Sequence, residues 1–413
     1  MGIIRKAYDL IGDAFGFSNG GFYRIWANPE TDAGIAITPS SSLQIVCALR
    51  CATLIAGAAA SLPIDVYEII GESRKPSENH PAQLRLDSEP NLDMTSMDYR
   101  SQQWLSFLLW GNAYSLVVRD GDRLIALWPL MPEHMQVKQI EGTKDWVYLY
   151  SLPGGRPPIP YTPEEILHTR WFSLDGIHGM SAITQARNAL GLHRATERTA
   201  SRFFKNGAQV NQQLEIPGNI PQKVVDQLRK DFQAEYGGSE NAYKIAISHS
   251  GSKLSPIAVN PRDSQFLEQR EFNDLTICML FGVPPHMVGL TAKSTSWGSG
   301  IAEQKQGFLD FTVAPLLTFF EKSYERCLLA KNESKRYIKH NTKAFLRADI
   351  AARYTAYSTA VDKGIMNRNE ARALEEMDPY AGGEIYTVQS QMIPVDQVGK
   401  LPAAPPPKEI PNV

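Results

Sequence analysis

The sequence predicts an α+β fold on three observations. Short alternating strands crowd the stretch from Leu62 to Ser151, long helical stretches dominate after Met180, and two of those helices bracket a small α/β insert. From Ser40 to Ala60 an alanine-rich apolar helix is expected. It runs into Leu62-Pro-Ile-Asp-Val-Tyr-Glu68, whose alternation marks a half-buried strand. A helix over Ser96 to Trp110 comes next. Strands are then expected at Ala113 to Arg119, Leu124 to Trp128, His134 to Gln139 and Trp146 to Ser151, with Asp120-Gly-Asp as the turn between the first two.

Met180 to Lys205 reads as one helix of about 39 Å at 1.5 Å per residue, stopped by Asn206-Gly207. The insert should hold a strand through Gln213 to Ile216, a helix near Pro221 to Tyr236 and a strand from Lys244 to Ser248. Val224, Leu228, Phe232 and Tyr236 share one face of that helix. An acidic helix, Asp263 to Phe281, stops at Gly-Val-Pro-Pro (282 to 285), because proline lacks an N–H and its ring clashes with the preceding turn. The polar stretch Thr291 to Gly300 has almost nothing to bury and reads as a loop. Beyond it, a long helix from about Gly300 to Lys331 carries Pro315 in its middle, so a kink is expected. A helix near Asp349 to Lys363 ends at Gly364, and another begins at Asn367 with Glu370 three residues on, the capping-box arrangement. After Ile393 the chain is Pro-rich and reads as an extended tail.

The 413 residues allow about two or three domains, and the 43% hydrophobic and 21% charged content is that of a soluble globular chain. A net charge of −2 supplies no global attraction to nucleic acid, so any DNA contact must be local or weak. Cys47, Cys51, Cys278 and Cys327 form neither a disulfide framework nor a zinc pattern by spacing; Cys47 and Cys51 suit two buried thiols on one helix, in a reducing compartment. Asp9 and Asp13 interrupt any signal peptide, and Lys6 breaks the myristoylation pattern. The uncharged stretch Cys51 to Ile64 falls short of the roughly 20 residues a membrane span needs.

Catalytic signatures are missing. No G-x-x-x-x-G-K-[ST] occurs, and Gly399-Lys400 lacks both the upstream glycine and the hydroxyl. Gly179-Met-Ser181 begins like a nucleophile elbow, but Ile183 stands where the last glycine belongs, so Ser181 is expected to cap a helix. The eight histidines show no metal spacing, and His168 and His178 are expected to be packed or surface residues. Neither catalytic residues, metal ligands nor a cofactor are expected.

Charge patterning is more informative. Arg194, Arg198 and Arg202 recur every fourth residue, Arg187 and Lys205 extend the row, and Glu197 is the sole acid from 180 to 205. Like charges at that spacing cost about 0.2–0.5 kcal/mol per pair in an isolated helix, so such a stripe seeks a partner. The acidic helix offers one in Asp263, Glu268, Glu271 and Asp274 against Arg270. Two solvated faces are the plain alternative.

Several segments in order now carry a resemblance. They are Glu164-Glu-Ile-Leu-His168, Gly179-Met-Ser-Ala-Ile183 leading to Arg202-Phe-Phe-Lys-Asn-Gly-Ala208, Phe266-Leu-Glu-Gln-Arg270 with Phe281-Gly-Val-Pro-Pro-His-Met-Val288, Trp297-Gly-Ser-Gly-Ile-Ala-Glu-Gln304 and Gly364-Ile-Met-Asn-Arg-Asn-Glu-Ala-Arg372. Over about residues 40 to 393 the chain resembles the portal, or head–tail connector, proteins of long-tailed bacteriophages. Asn367 departs from the threonine often found there, and both cap a helix.

The resemblance implies a ring, a dodecamer, at one capsid vertex, through which a separate terminase ATPase pumps double-stranded DNA. It implies an N-terminal segment (1–39), a wing (40–179 and 300–345), stem helices (180–206 and 263–281), a clip (207–262), a tunnel loop (282–299), a crown (346–392) and a tail (393–413). Lys293, Ser294, Thr295, Ser296 and Trp297 would meet DNA, weakly and without regard to sequence. The clip surface Lys223, Asp226, Arg229 and Lys230 would meet terminase and then a head–tail adaptor, while the major capsid protein surrounds the ring. The stem would pair Arg194, Arg198 and Arg202 with Glu268, Glu271 and Asp274, within or between subunits. The expected setting is the virion, after assembly in the host cytoplasm and without a membrane. A different ring-forming head-completion or minor capsid protein is the alternative, and a soluble hydrolase is opposed by the missing motifs.

Overall fold

The computed structural model describes residues 30–77, 79–140, 143, 145–154, 156–205, 212–215, 221–236, 253–256, 263–290, 299–330, 332–342, 350–375 and 377–387. The chain divides into two compact units, Met1–His340 and Asn341–Val413. Helix and antiparallel sheet are mixed in the first, as the α+β expectation required.

In the first unit, α1 (Pro39–Ser42) and α2 (Val46–Ala60) replace the single helix expected from Ser40. Three consecutive serines favour caps over helix interior. Thr38 forms a capping box with Ser41, the Ser42 hydroxyl donates to the Pro39 carbonyl at 2.6 Å, and Ile45 is extended and fully buried. The alanines of α2 then allow close packing on α4 (Ser96–Trp110), which follows α3 (Pro81–Asp87).

Strand β1 (Ile64–Ile70) lies between β2 (Ser73–Pro76) and the late strand β11 (Arg336–His340). A second antiparallel sheet runs β4-β3-β8 (Arg123–Leu130, Asn112–Asp120, Ile166–Arg170), and a third runs β5-β6-β7 (Met135–Gln139, Trp146–Tyr150, Ile159–Tyr161). The second and third sheets share a core of Tyr114, Leu130, Met135, Val137, Tyr148 and Ile166.

The stretch Met180 to Lys205, expected as one helix, is two: α5 (Ala182–Gln185) and α6 (Arg187–Lys205). Ala186, at φ −95° and ψ 12°, leaves helical geometry between them. Alanine is the best helix former, so the break comes from tertiary anchoring rather than from local preference. After α6, the insert pairs β9 (Gln212–Glu215) with β10 (Lys253–Pro256), antiparallel, and carries α7 (Gln222–Tyr236). The strand expected over Lys244 to Ser248 lies outside the described residues.

Helix α8 (Asp263–Phe281) ends at Gly282, whose φ of +66° suits glycine. The long helix expected beyond it is three segments: α9 (Ser299–Gly307), a π-helical stretch (Phe308–Val313) and α10 (Ala314–Leu328). Pro315 sits in the first turn of α10 and has no N–H to return, so the irregularity falls just ahead of it as a wider turn. Below, Phe320 of α10 stacks on Trp104 at 4.1 Å, and Tyr324 is buried beside it, closing the core over α4.

In the second unit, α11 (Ile350–Asp362) leads through Gly364 (φ +70°) to α12 (Arg368–Ala373). The Asn367–Glu370 capping box is present, and Arg353 reaches Glu375 at 2.7 Å. Among the described residues, no helix is long and apolar enough to cross a membrane.

Candidate functional site

The insert is carried between α6 and α8, so what those helices stand on and how they pair decide what the protein can do. Their base is built from the segments Glu164 to His168 and Gly179 to Ile183. Helix α4 stops at Gly111, in the left-handed region at φ +71°, and the chain turns at once into β3. A methyl group on Gly111 would lie well inside 3.0 Å of the Met180 carbonyl, and one on Gly179 as close to the Gly111 carbonyl oxygen. The two backbones therefore touch because neither residue has a side chain.

Asn112 locks this crossing. Its amide donates to the carbonyls of Trp110 and Gly179, both at 2.9 Å, and its Oδ1 accepts from Gly179 N at 2.8 Å. His168, opposite Tyr114 in the β3–β8 pair, lies 3.0 Å from the same oxygen through Nε2. An amide oxygen can only accept, so Nε2 carries the proton, and Nδ1 accepts from the Tyr148 hydroxyl at 3.2 Å. Burial, followed by the charge of Arg170, holds the imidazole well below its ordinary value, which keeps it neutral. Ser181 donates to the Leu109 carbonyl at 2.6 Å and accepts from Thr184 N at 3.1 Å, the capping role expected of it. His178 binds the carboxylate of Asp175 at 2.6 Å in the neighbouring loop.

Helices α6 and α8 pack against each other, and α8 packs on α2 with Ile277, Cys278 and Phe281 buried. Gly191 of α6 admits Thr31, whose side chain fills the space a methyl group would need. A polar contact spans the pair: His193 Nε2 lies 3.2 Å from Asp274 Oδ1. Burial lowers the His193 value and raises that of Asp274, so at neutral pH a neutral imidazole donates to a carboxylate.

Of the expected charge row, Arg194 bonds within its own side of the molecule, to Glu197 at 3.2 Å and Gln44 at 2.7 Å. Arg198, Arg202 and Glu271 are exposed, Asp274 is held by His193, and the Glu268 side chain lies outside the described residues. The structure thus brings the two helices together, with Arg194 bonded to Glu197 and Gln44 and, among the described side chains, not to an acid of α8. Sequence reasoning missed His193, although its place beside Arg194 put it on the face that meets α8. On α7, Lys223, Asp226 and Lys230 are exposed; the Arg229 side chain is not among those described. Lys293, Ser294, Thr295, Ser296 and Trp297 all lie outside the described residues.

Asn112, His168 and Ser181 at this base bond to backbone or to one another, so they hold the backbone crossing in place. This is the chemistry of a scaffold that fixes the direction of a helix pair. The phage portal protein family model matches residues 47–376, and the chain belongs to the phage portal protein family. It is 33% identical to the portal protein of Enterobacteria phage HK97 over 370 residues, covering 88% of this chain and 86% of that one. Its fold is that of an HK97 family phage portal protein from Corynebacterium diphtheriae, at TM-score 0.57 and 16% identity, over 78% of this chain and 98% of the other. A chain from the neck of a native gene transfer agent particle, computed with C12 symmetry, shares the fold at TM-score 0.54 and 21% identity, over 88% of this chain and all of the other.

Proposed function

We propose that copies of this chain close into a ring at a single capsid vertex and form the channel for double-stranded DNA in packaging and ejection. The family match across residues 47–376 carries this reading, and the C12 neck chain of the same fold supports a ring of like subunits. Helices α6 and α8 form the stem, the insert between them is the clip, and residues 286–299 reach the channel. The chain works as a conduit without catalysis, and a terminase supplies the driving force. Negative-stain images of the purified protein should show closed rings with a central hole wide enough for duplex DNA. A solid particle or a persistent monomer would overturn the reading.

A net charge of −2 suits a conduit, since strong phosphate binding would hold DNA rather than let it slide. Lys293 is the one formally charged side chain from His286 to Ser299, so a ring presents a single circle of separated positive charges. Each contact is weak enough to break. In a packaging assay with assembled rings, Lys293→Ala and Lys293→Glu should alter DNA uptake or retention without changing ring formation. Unchanged DNA handling in both variants would remove the contact.

The exposed face of α7, with Lys223, Asp226 and Lys230 and the neighbouring Arg229, is the surface for terminase and later for the adaptor. Serving two partners in turn, it should be polar and modest in affinity. In the same assay, alanines at these positions should leave rings intact and abolish terminase-dependent packaging; normal packaging would count against it.

A further inference from the structure

The sequence holds four cysteines in 413 residues, and three of them converge. Cys47 and Cys51 lie one turn apart on α2, and Cys278 reaches them from α8, 231 residues further along than Cys47. The three sulfur atoms lie within 4.8 Å of one another, with Cys51 and Cys278 fully buried and Cys47 9% exposed. Cys47 Sγ and Cys278 Sγ are 3.8 Å apart. With a zinc–sulfur bond of about 2.3 Å, a tetrahedral site separates its sulfurs by about 3.8 Å. Two thiols at i and i+4 facing a third on a neighbouring helix is also the way helix-packed metal sites are assembled.

We propose that Cys47, Cys51 and Cys278 bind one thiophilic cation of the zinc class, which staples the stem helix α8 to α2. Three thiols give up three protons as one divalent ion enters, leaving a tris-thiolate centre of net charge −1. An oxygen borders it: the Asp274 carbonyl lies 3.5 Å from Cys47 Sγ, one turn before Cys278. The signal is invisible to spacing rules, because two ligands come from one helix and the third from a segment that only the fold brings near.

Reduced full-length protein, stripped with a chelator and titrated with Co2+, should take up one ion per chain. It should show sulfur-to-cobalt charge transfer with the visible bands of a tetrahedral centre, and Zn2+ should bleach them. Cys278→Ser and Cys47→Ser should lose the signal; Cys327→Ser, altering the remaining half-buried cysteine, should keep it. Zn2+ should raise the unfolding temperature of the unaltered chain and leave that of Cys278→Ala unmoved. A reduced, folded chain that binds no Co2+ at micromolar concentration would overturn the proposal. So would a signal that survives Cys47→Ser with Cys278→Ser, or a cluster that only forms a Cys47–Cys278 disulfide on oxidation.

Discussion

Arg198→Glu is expected to leave the chain largely unassembled under conditions where the unaltered protein closes rings, and Glu271→Arg in the same chain should restore part of the ring population. Both side chains are exposed on paired helices, while within one chain Arg194 is held by Glu197 and Gln44 and Asp274 by His193. The partner for the remaining charges is therefore sought on the neighbouring copy. An exposed pair contributes about 0.2–1 kcal/mol, and reversing one partner replaces attraction with repulsion. The swing is roughly 1–2 kcal/mol per interface, about tenfold in each association step. Because every interface of a closed ring carries the same change, the losses compound. Size-exclusion chromatography with light scattering would follow them, and rings of ordinary stability from Arg198→Glu would sink the idea, as would a ring structure in which both rows face only solvent.

Gly179→Ala is the second large effect. The added methyl would meet the Gly111 carbonyl oxygen, which already accepts from Trp171 N at 2.8 Å. Backbone rather than a flexible side chain must give way, and the Asn112 bonds on either side move with it. Loss of about 3 kcal/mol or more is expected, at the upper end for overpacking. Gly121 supplies the control, since it has φ +57° at the β3–β4 turn with nothing within 4 Å. Gly121→Ala should cost only the left-handed backbone penalty, about 1 kcal/mol. Urea unfolding of the two variants separates the cases: equal losses would mean that the crossing can relax and is not rigid.

Much of the fold could be read before any coordinates existed, because it rests on local rules. The helix Ser96–Trp110, the hairpin at Asp120-Gly-Asp and the box at Asn367 each follow from neighbours within a few residues. What escaped was set at a distance. The break at Ala186 contradicts local preference, and β10 is a four-residue strand ending in proline, a feature that argues against a strand until β9 is seen beside it. The site divides in the same way. Ser181 could be recognised as a cap from its own sequence, whereas the His168–Asn112–Gly179 lock joins residues up to 67 positions apart. Two of the motif segments, Glu164 to His168 and Gly179 to Ile183, thus hold a joint of the backbone. The charge row was legible as a row, but the residue that meets α8 is His193, outside that row, which a charge pattern does not mark.

The widened turn ahead of Pro315 has one more consequence. Phe308 and Val313 are 6% and 1% exposed, although five residues separate them. At about 100° per residue an ordinary helix would set them roughly 140° apart, so one would face water. A bonding pattern that reaches five residues back stacks them instead on one side, and Phe311 between them stands 84% exposed. The helix from Ser299 to Leu328 is thus two cylinders out of phase, with an angular offset built into the chain. Inside and outside read from one half do not carry over to the other.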